Sequence, residues 1–215
     1  MAKVHQQADG LQNREMLIIP SRLSMLQLTK KYYQKVTNMP DELLDIVNDQ
    51  DVVLDQQMRS IVHQLGLQHR GVHVFLFTPD GKMLVQKRSA DRVASPSMLD
   101  CSVSEHVKAG ESYLDAAIRG MKEEMGVTGI EIKQLVKFRM NYGVNDNEIS
   151  VLYEGTVDPA LVQFDPIEIE EISYFSVNEL QEMIKEDNIK ICSWFVELLN
   201  WYLGKWSKMN LDFQS

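Results

Sequence analysis

The chain has 215 residues, of which 44% are hydrophobic, so it can bury the core of one large domain without requiring a second. Its formal net charge of −9 argues against broad electrostatic binding to a nucleic acid polymer or to an anionic membrane. An anionic substrate would therefore need metal ions and a few local basic side chains to neutralise it.

The cysteines and the apolar segments indicate the compartment. Cys101 and Cys192 are far apart and match neither a disulfide framework nor a CxxC metal motif, which favours a reducing, cytoplasmic location. The sequence has no run of about 20 apolar residues that could span a membrane, and the polar residues 1–15 carry no secretory signal. We therefore expect no membrane association.

The N-terminal region should carry an appended helix over residues 20–37, because Pro20 suits the first turn of a helix. Leu23, Leu26 and Tyr33 of that helix could cover the domain or a partner subunit, which leaves a homodimer open. The predicted organisation is a leader with the appended helix over 1–40, a domain over 41–206 and a C-terminal tail over 207–215.

The clearest β-hairpin of the chain joins Val72–Phe77 to Met83–Lys87, since the turn residues Pro79, Asp80 and Gly81 separate two apolar runs. Strands that alternate with a few helices indicate a mixed α/β sheet covered on both faces. The other predicted elements are a hairpin over Leu43–Val47 and Val52–Leu54, a helix over 57–65, strands over Leu99–Val103, Ile130–Met140, Ile149–Val157 and Ile172–Phe175, and helices over Val177–Lys185 and Cys192–Trp206.

An acidic amphipathic helix is predicted over residues 112–125, between Gly110 and a C-terminal stop at Gly126. Near its end Glu123 and Glu124 repel one another, a cost that a hard divalent cation with oxygen ligands would offset. The helix is therefore a candidate metal site. The apolar residues expected on its buried face are Leu114, Ala117, Ile118, Met121 and Met125.

The stretch EHVKAGESYLDAAIRGMKEEMGV, residues 105–127, resembles the Nudix box, G-x5-E-x7-R-E-U-x-E-E-x-G-U with U apolar. Two positions depart from the pattern, because the leading glycine is Glu105 and the glutamate after the arginine is Gly120. The resemblance implies a Nudix fold, with a mixed sheet sandwiched between helices. The matching positions are Glu111, Arg119, Met121, Glu123, Glu124, Gly126 and Val127.

By this resemblance, Glu123 and Glu124 would bind Mg²⁺ or Mn²⁺, Arg119 would orient them, and Glu111 would support them. Such a cation neutralises phosphate oxygens and acidifies an attacking water. The first hypothesis is thus a metal-dependent hydrolase of a small organic or nucleoside diphosphate, with Glu111, Glu124 or Glu148 in catalysis. Because Gly120 replaces a box glutamate, a diphosphate-binding module without fast turnover is an alternative.

A second resemblance, over most of residues 41–206, is to the Nudix-fold isopentenyl diphosphate isomerases. The stretches HQLGLQHRGVHVFLF, SVSEHVKAGES and YGVNDNEISVLY place His63, His69, His106 and Glu148 on metal-ligand positions of those enzymes, with Asp146 nearby. Neutral imidazoles at this cluster would suit a second divalent metal such as Mn²⁺ or Zn²⁺. His73 has no counterpart and is assigned a structural role.

The isomerase resemblance also implies the substrate contacts. Arg88 and Arg92 match the basic pair that holds the diphosphate, Lys108 is placed with them, and Trp194 falls in the closing helix.

The isomerases, however, carry a catalytic cysteine where this chain has Ser104. Cys101 lies three residues away, and in an unbroken strand an odd offset points to the opposite face. Isomerase activity is therefore only an alternative.

Overall fold

The computed structural model describes residues 41–92, 94–186 and 190–211, and the predicted helix over 20–37 lies outside them. The helices are α1 (Arg59–Leu65), α2 (Tyr113–Met125), α3 (Val177–Ile184) and α4 (Ser193–Tyr202), with a 3-10 turn at Pro159–Leu161. The strands are β1 (Leu43–Val47), β2 (Val53–Met58), β3 (His69–Phe77), β4 (Met83–Arg88), β5 (Leu99–Asp100), β6 (Val103–His106), β7 (Ile132–Gly143), β8 (Asp146–Thr156) and β9 (Ile169–Phe175).

Strand β3 is central in a seven-stranded mixed sheet, where it pairs parallel with β8 and antiparallel with β6. Its alternating side chains separate two cores. Val72 and Val74 pack with residues of α2 on one face, whereas Phe75 packs with Phe195 of α4 on the other. The predicted sheet between helices is confirmed. No helix in the described ranges is long and apolar enough to cross a membrane.

The predicted hairpins are present, but the strands of the second one pair only next to the turn. β1 pairs with β2 along its length, as expected. The turn before β4 closes with Gly81 at φ 82°, yet the β3 and β4 register contains only Phe77 opposite Met83. Beyond the turn β4 pairs with β5 and β9, so the two strands separate and leave an edge of β3 to β6.

The predicted strand over Leu99–Val103 is wrong, because it is divided into β5 and β6 around Cys101 and Ser102. Ser102 turns its hydroxyl to donate to Leu84 O at 2.6 Å and to accept from Leu76 N at 2.8 Å. These backbone contacts bend the chain between the strands. The side-chain alternation that an unbroken strand would impose therefore does not apply here.

The buried face of α2 is rotated from the predicted one. Leu114 and Ile118 are each 44% exposed, whereas Gly120 and Glu124 are buried. The helix turns its small residues to the sheet, which lets it approach β6 closely. Ser112 caps its N-terminus and Gly126, at φ 68°, ends it as predicted.

The closing helix α4 is shorter than predicted. It ends at Tyr202, and Gly204 adopts φ 68°, a left-handed conformation typical of a helix stop. Trp206 therefore lies beyond the helix and is 78% exposed. Helix α3 has the predicted capping box between Ser176 and Glu179.

Candidate metal and diphosphate site

Strand register brings the predicted histidines together. His69 on β3 lies directly beside Glu148 on the parallel strand β8, and His106 on β6 lies opposite Gly71. Helix α1 supplies His63 from the side. Because alternate residues of a strand share a face, Asp146 joins the same side as Glu148. Four elements thus converge on one point.

The ligand atoms of this histidine cluster are close enough to share one cation. Those of His63, His69 and His106 lie within 4.8 Å of one another, as do those of His69, Asp146 and Glu148. His63 Nδ1 is 3.4 Å from Asp146 Oδ1, and His69 Nε2 is 3.6 Å from Glu148 Oε1. His69 Nδ1 lies 3.0 Å from Leu67 O, which favours a proton on Nδ1 and leaves Nε2 to face the cluster.

Gly71 makes the space that Glu148 occupies. A Cβ atom placed on Gly71 would lie 1.9 Å from Glu148 Oε2, a separation that no real side chain tolerates. The carboxylate also accepts a hydrogen bond from Ser150 Oγ at 2.9 Å. The absence of a side chain at position 71 therefore allows this glutamate to turn towards the histidines.

The electrostatics of the cluster favour neutral imidazoles at His63 and His106. Burial, with the neighbouring His69, lowers the pKa of His63 to about 4, and burial holds the pKa of His106 well below its usual value. Burial acts to raise the pKa of Glu148, but its approach to His69 lowers that pKa to about 2. Burial and the nearby Glu148 raise the pKa of Asp146 to about 6. Neutral imidazoles beside a carboxylate suit a divalent transition metal.

Unpartnered buried atoms indicate that a cation fits both the histidine cluster and a second candidate site at Glu124 of α2. Among the described residues, four buried side-chain nitrogen or oxygen atoms have no hydrogen-bond partner, and three of them lie at these sites. Buried polar atoms are almost always satisfied, so such a concentration needs an explanation. A metal ion would supply it. The three atoms are His69 Nε2, Asp146 Oδ1 and Glu124 Oε1.

Glu124 on α2 is the buried carboxylate of the acidic helix. It is 4% exposed, and Oε2 accepts a hydrogen bond from Gln86 Nε2 at 2.7 Å while Oε1 has no partner. Burial, followed by the carboxylate of Glu105, raises the pKa of Glu124 well above its usual value. Sequence reasoning missed Gln86, which positions this carboxylate from β4.

Arg119 holds three other carboxylates, one on the helix, one in the loop before it and one on β6. Its guanidinium donates to Glu111 Oε1 at 2.9 Å, Glu123 Oε2 at 3.1 Å and Glu105 Oε2 at 3.2 Å. It also donates to His106 O at 2.8 Å, which ties the helix to the strand that carries a histidine of the cluster. Glu111 in turn accepts from Lys108 N at 3.0 Å. This geometry suits the orienting role predicted for Arg119.

We expect Arg119→Lys to destabilise the protein by about 1–2 kcal/mol, because an ammonium cannot replace the forked contacts of a guanidinium. The affinity of the helix for Mn²⁺ should fall about tenfold as the carboxylates lose their orientation. Urea denaturation and Mn²⁺ titration measure the two effects. Lys122→Arg on the exposed side of α2 is the control, and equal behaviour of both variants would contradict the role of Arg119.

Glu148 and Glu124 do not belong to one cluster. Glu148 shares the sheet face of His69 and His73, whereas α2 packs on the opposite face through Val103. The sequence allowed Glu148 to complete the shell of the helix carboxylates. The structure places it with the histidines, where the isomerase resemblance also put it, so two separate groups of candidate ligands lie on opposite sides of the sheet.

The predicted substrate-binding cations all have carboxylate partners within the chain. Arg88 donates to the fully buried Asp100 at 2.9 Å, and its guanidinium lies 5.5 Å from the centre of the Trp194 ring. Trp194 Nε1 donates to the same carboxylate at 2.7 Å. The remaining pairs are Arg92 with Glu168 at 2.8 Å and Lys108 with Glu42 at 3.1 Å.

Cys101 does not point away from Ser104. The Cys101 Sγ and Ser104 Oγ atoms are 3.2 Å apart, so the expectation of opposite faces is wrong. It failed because the chain bends between β5 and β6. Burial, with the nearby Asp100, raises the pKa of the Cys101 thiol well above its usual value, so the group stays protonated at neutral pH.

His73 lies in a polar chain that leads to Glu148. Its Nδ1 is 3.0 Å from Ser104 Oγ, and its Nε2 is 2.9 Å from the Tyr142 hydroxyl. The Tyr142 hydroxyl donates to Ser150 Oγ at 3.0 Å, and Ser150 Oγ donates to Glu148 Oε2 at 2.9 Å. The structural role assigned to His73 thus includes orienting Ser104. Only its place on the same strand face as His69 could have indicated this.

Comparisons with known proteins agree with the observed fold. A family model described as the NUDIX domain matches residues 67–195. The chain is 39% identical over 124 residues to the uncharacterized Nudix hydrolase SCO1686 of Streptomyces coelicolor, covering 55% of this chain and 68% of that protein. It is 30% identical over 163 residues to an isopentenyl-diphosphate Delta-isomerase of Serratia proteamaculans, covering 74% of this chain and 90% of that protein.

A solved structure is also similar. The crystal structure of DR0079 from Deinococcus radiodurans superposes with a TM-score of 0.64 at 26% identity, covering 74% of this chain and 98% of that one.

Proposed function

The chain belongs to the Nudix family, and from this premise we propose that it is a metal-dependent hydrolase that cleaves the diphosphate linkage of a small organic or nucleoside diphosphate. The observation that carries the proposal is the buried Glu124 on the box helix, whose Oε1 has no partner. A buried carboxylate without a partner is costly, and a divalent cation removes that cost. The family membership supplies the diphosphate chemistry.

The residues divide into two groups. Glu123 and Glu124 would hold Mg²⁺ or Mn²⁺ on α2, with Glu111 and Arg119 fixing their orientation. Bound there, the cation would neutralise phosphate oxygens and acidify a water. The histidine cluster, together with Glu148 and Asp146, would hold a second divalent metal. Trp194, Arg88, Arg92 and Lys108 are proposed to contact the substrate, the last three by exchanging their present carboxylate partners for phosphate.

The proposal predicts Mg²⁺- or Mn²⁺-dependent release of phosphate or nucleoside monophosphate from a panel of nucleoside and short-chain isoprenoid diphosphates. Product release is measured for the wild-type chain and for Glu124→Gln, with Glu131→Gln as an exposed control. A rate that disappears only in Glu124→Gln supports the hydrolase. Binding of a diphosphate with no product from any substrate would instead identify a diphosphate-binding module.

An isomerase of isopentenyl diphosphate is a second candidate, favoured by the similarity to a protein of that name over 90% of its length. The thiol of Cys101 beside Ser104 adds to it, because a proton donor does lie near the required position. Incubation of isopentenyl diphosphate in heavy water tests this activity. Deuterium in the allylic product that disappears in Cys101→Ala would support the isomerase, and a product without deuterium would exclude it.

A further inference from the structure

The two departures from the box pattern are neighbours in space. A Cβ atom placed on Gly120 would lie 2.9 Å from Glu105 Cγ and 2.6 Å from Val103 Cγ1. Val103 and Glu105 are alternate residues of β6, and both therefore face α2. The side chain of Glu105 covers the position at which a side chain of residue 120 would begin. The glutamate at position 105 therefore occupies space that a side chain at position 120 would need, so the two departures from the pattern are linked.

Arg119 orients the carboxylate of Glu105 together with those of Glu111 and Glu123. Glu105 Oε2 accepts from Arg119 at 3.2 Å, and the same guanidinium holds Glu111 and Glu123. The Glu105 side chain is 15% exposed. A carboxylate from the neighbouring strand is therefore held by the same arginine as Glu111 and Glu123.

The carboxylates of Glu105 and Glu124 are neighbours beside Gly120. Residues 120 and 124 are one helical turn apart and share a face, so a carboxylate above Gly120 lies next to Glu124. Glu124 is 4% exposed and its Oε1 has no hydrogen-bond partner, which independently indicates that a cation belongs beside this oxygen.

We propose that Glu105 supplies from β6 the metal-binding carboxylate that α2 lacks at position 120, so that Glu105 and Glu124 together bind one divalent cation. This inference rests on the proposed metal-dependent function and names a ligand that the box pattern does not contain. It also explains how a glycine can stand in the middle of the acidic helix without removing the site.

Exchange of the two residues tests the proposal. Mn²⁺ binding is followed by electron paramagnetic resonance, and the helix site is defined as the binding that Glu124→Gln removes. Glu105→Gln should weaken binding at that site about tenfold or more, while Glu131→Gln should not. Gly120→Glu alone should lose the site, because the new side chain collides with both Val103 and Glu105. The triple variant Val103→Ala, Glu105→Gly and Gly120→Glu, in which both colliding side chains are cut back, should recover binding to within about threefold of the wild-type chain.

The controls separate this ligand role from a purely structural one. If Glu105 only paired with Arg119, Glu105→Gln would lower the melting temperature without a selective loss of Mn²⁺ at the helix site, and the proposal would be overturned. It would also be overturned if the triple variant bound no better than Gly120→Glu. Loss of Mn²⁺ in Glu124→Gln with none in Glu105→Gln would overturn only the role of Glu105. If Glu124→Gln changed nothing, the proposed metal-dependent function itself would fail.

Discussion

Glu124→Gln should reduce diphosphate hydrolysis by more than about a hundredfold and at the same time stabilise the metal-free protein. Loss of a ligand should exceed the 10- to 100-fold that removal of an outer partner costs. Glutamine keeps the shape and can still meet Gln86, but it leaves no charge in a buried position. Opposite effects on activity and stability are the signature of a carboxylate retained for a cation.

The stability gain should depend on pH. The pKa of Glu124 is raised in the folded chain, chiefly by burial and then by Glu105, above its ordinary value of 4.5. The folded state therefore binds this proton more tightly than the unfolded state does. The contribution of the protonated Glu124 to the free energy of unfolding is fully present below about pH 4.5 and is lost as the pH rises through the raised pKa of the folded state. The wild-type and Glu124→Gln melting temperatures should agree at low pH and diverge above it.

Bound Mg²⁺ should make the wild-type protein more stable than Glu124→Gln, which reverses their order without metal. A ligand at a hundred times its Kd stabilises the folded state by about 2.7 kcal/mol, and Glu124→Gln should lose this gain at the helix site. Melting curves at pH 4.5 and pH 8, with and without Mg²⁺, measure all of these effects. An equal response of the variant to Mg²⁺, or a lower stability of the variant at pH 8 without metal, would refute the role of Glu124.

Gly71→Ala should disable the histidine cluster, although position 71 contributes no ligand. The added methyl would lie 1.9 Å from Glu148 Oε2 and 2.9 Å from its Cδ, so the carboxylate must leave its present place. Overpacking of this kind costs about 1–3 kcal/mol. Affinity of the cluster for Zn²⁺ or Mn²⁺ should fall by at least tenfold, as expected when a ligand loses its orientation.

Gly143→Ala is the matched control, because nothing lies within 4 Å of a Cβ atom placed there. Competition with a chromophoric chelator measures Zn²⁺ affinity, and urea denaturation measures stability. His69→Ala provides the reference for a cluster without one of its ligands. Wild-type Zn²⁺ affinity in Gly71→Ala would show that Glu148 does not take part in metal binding.

Local patterns were sufficient for most elements of the fold. The periodicity of the acidic helix, its stop at Gly126 and the turn at Gly81 depend on interactions within a few residues, and all three are found in the structure. The box spacing indicated the Nudix fold for the same reason, since it combines a loop, a helix and its caps. The exposed positions of Leu114 and Ile118 show the limit, because periodicity alone did not determine which side of α2 meets the sheet.

The sequence by itself determined the fold family, the acidic helix and the set of histidines, because these follow from residue type and spacing along one segment. Only the tertiary structure decided that Glu148 lies with the histidines rather than with the helix carboxylates, that Cys101 lies beside Ser104, and that Glu105 covers Gly120. Those contacts depend on strand register and on the bend between β5 and β6. Register and bends are set by packing between distant segments, which spacing along the chain does not specify.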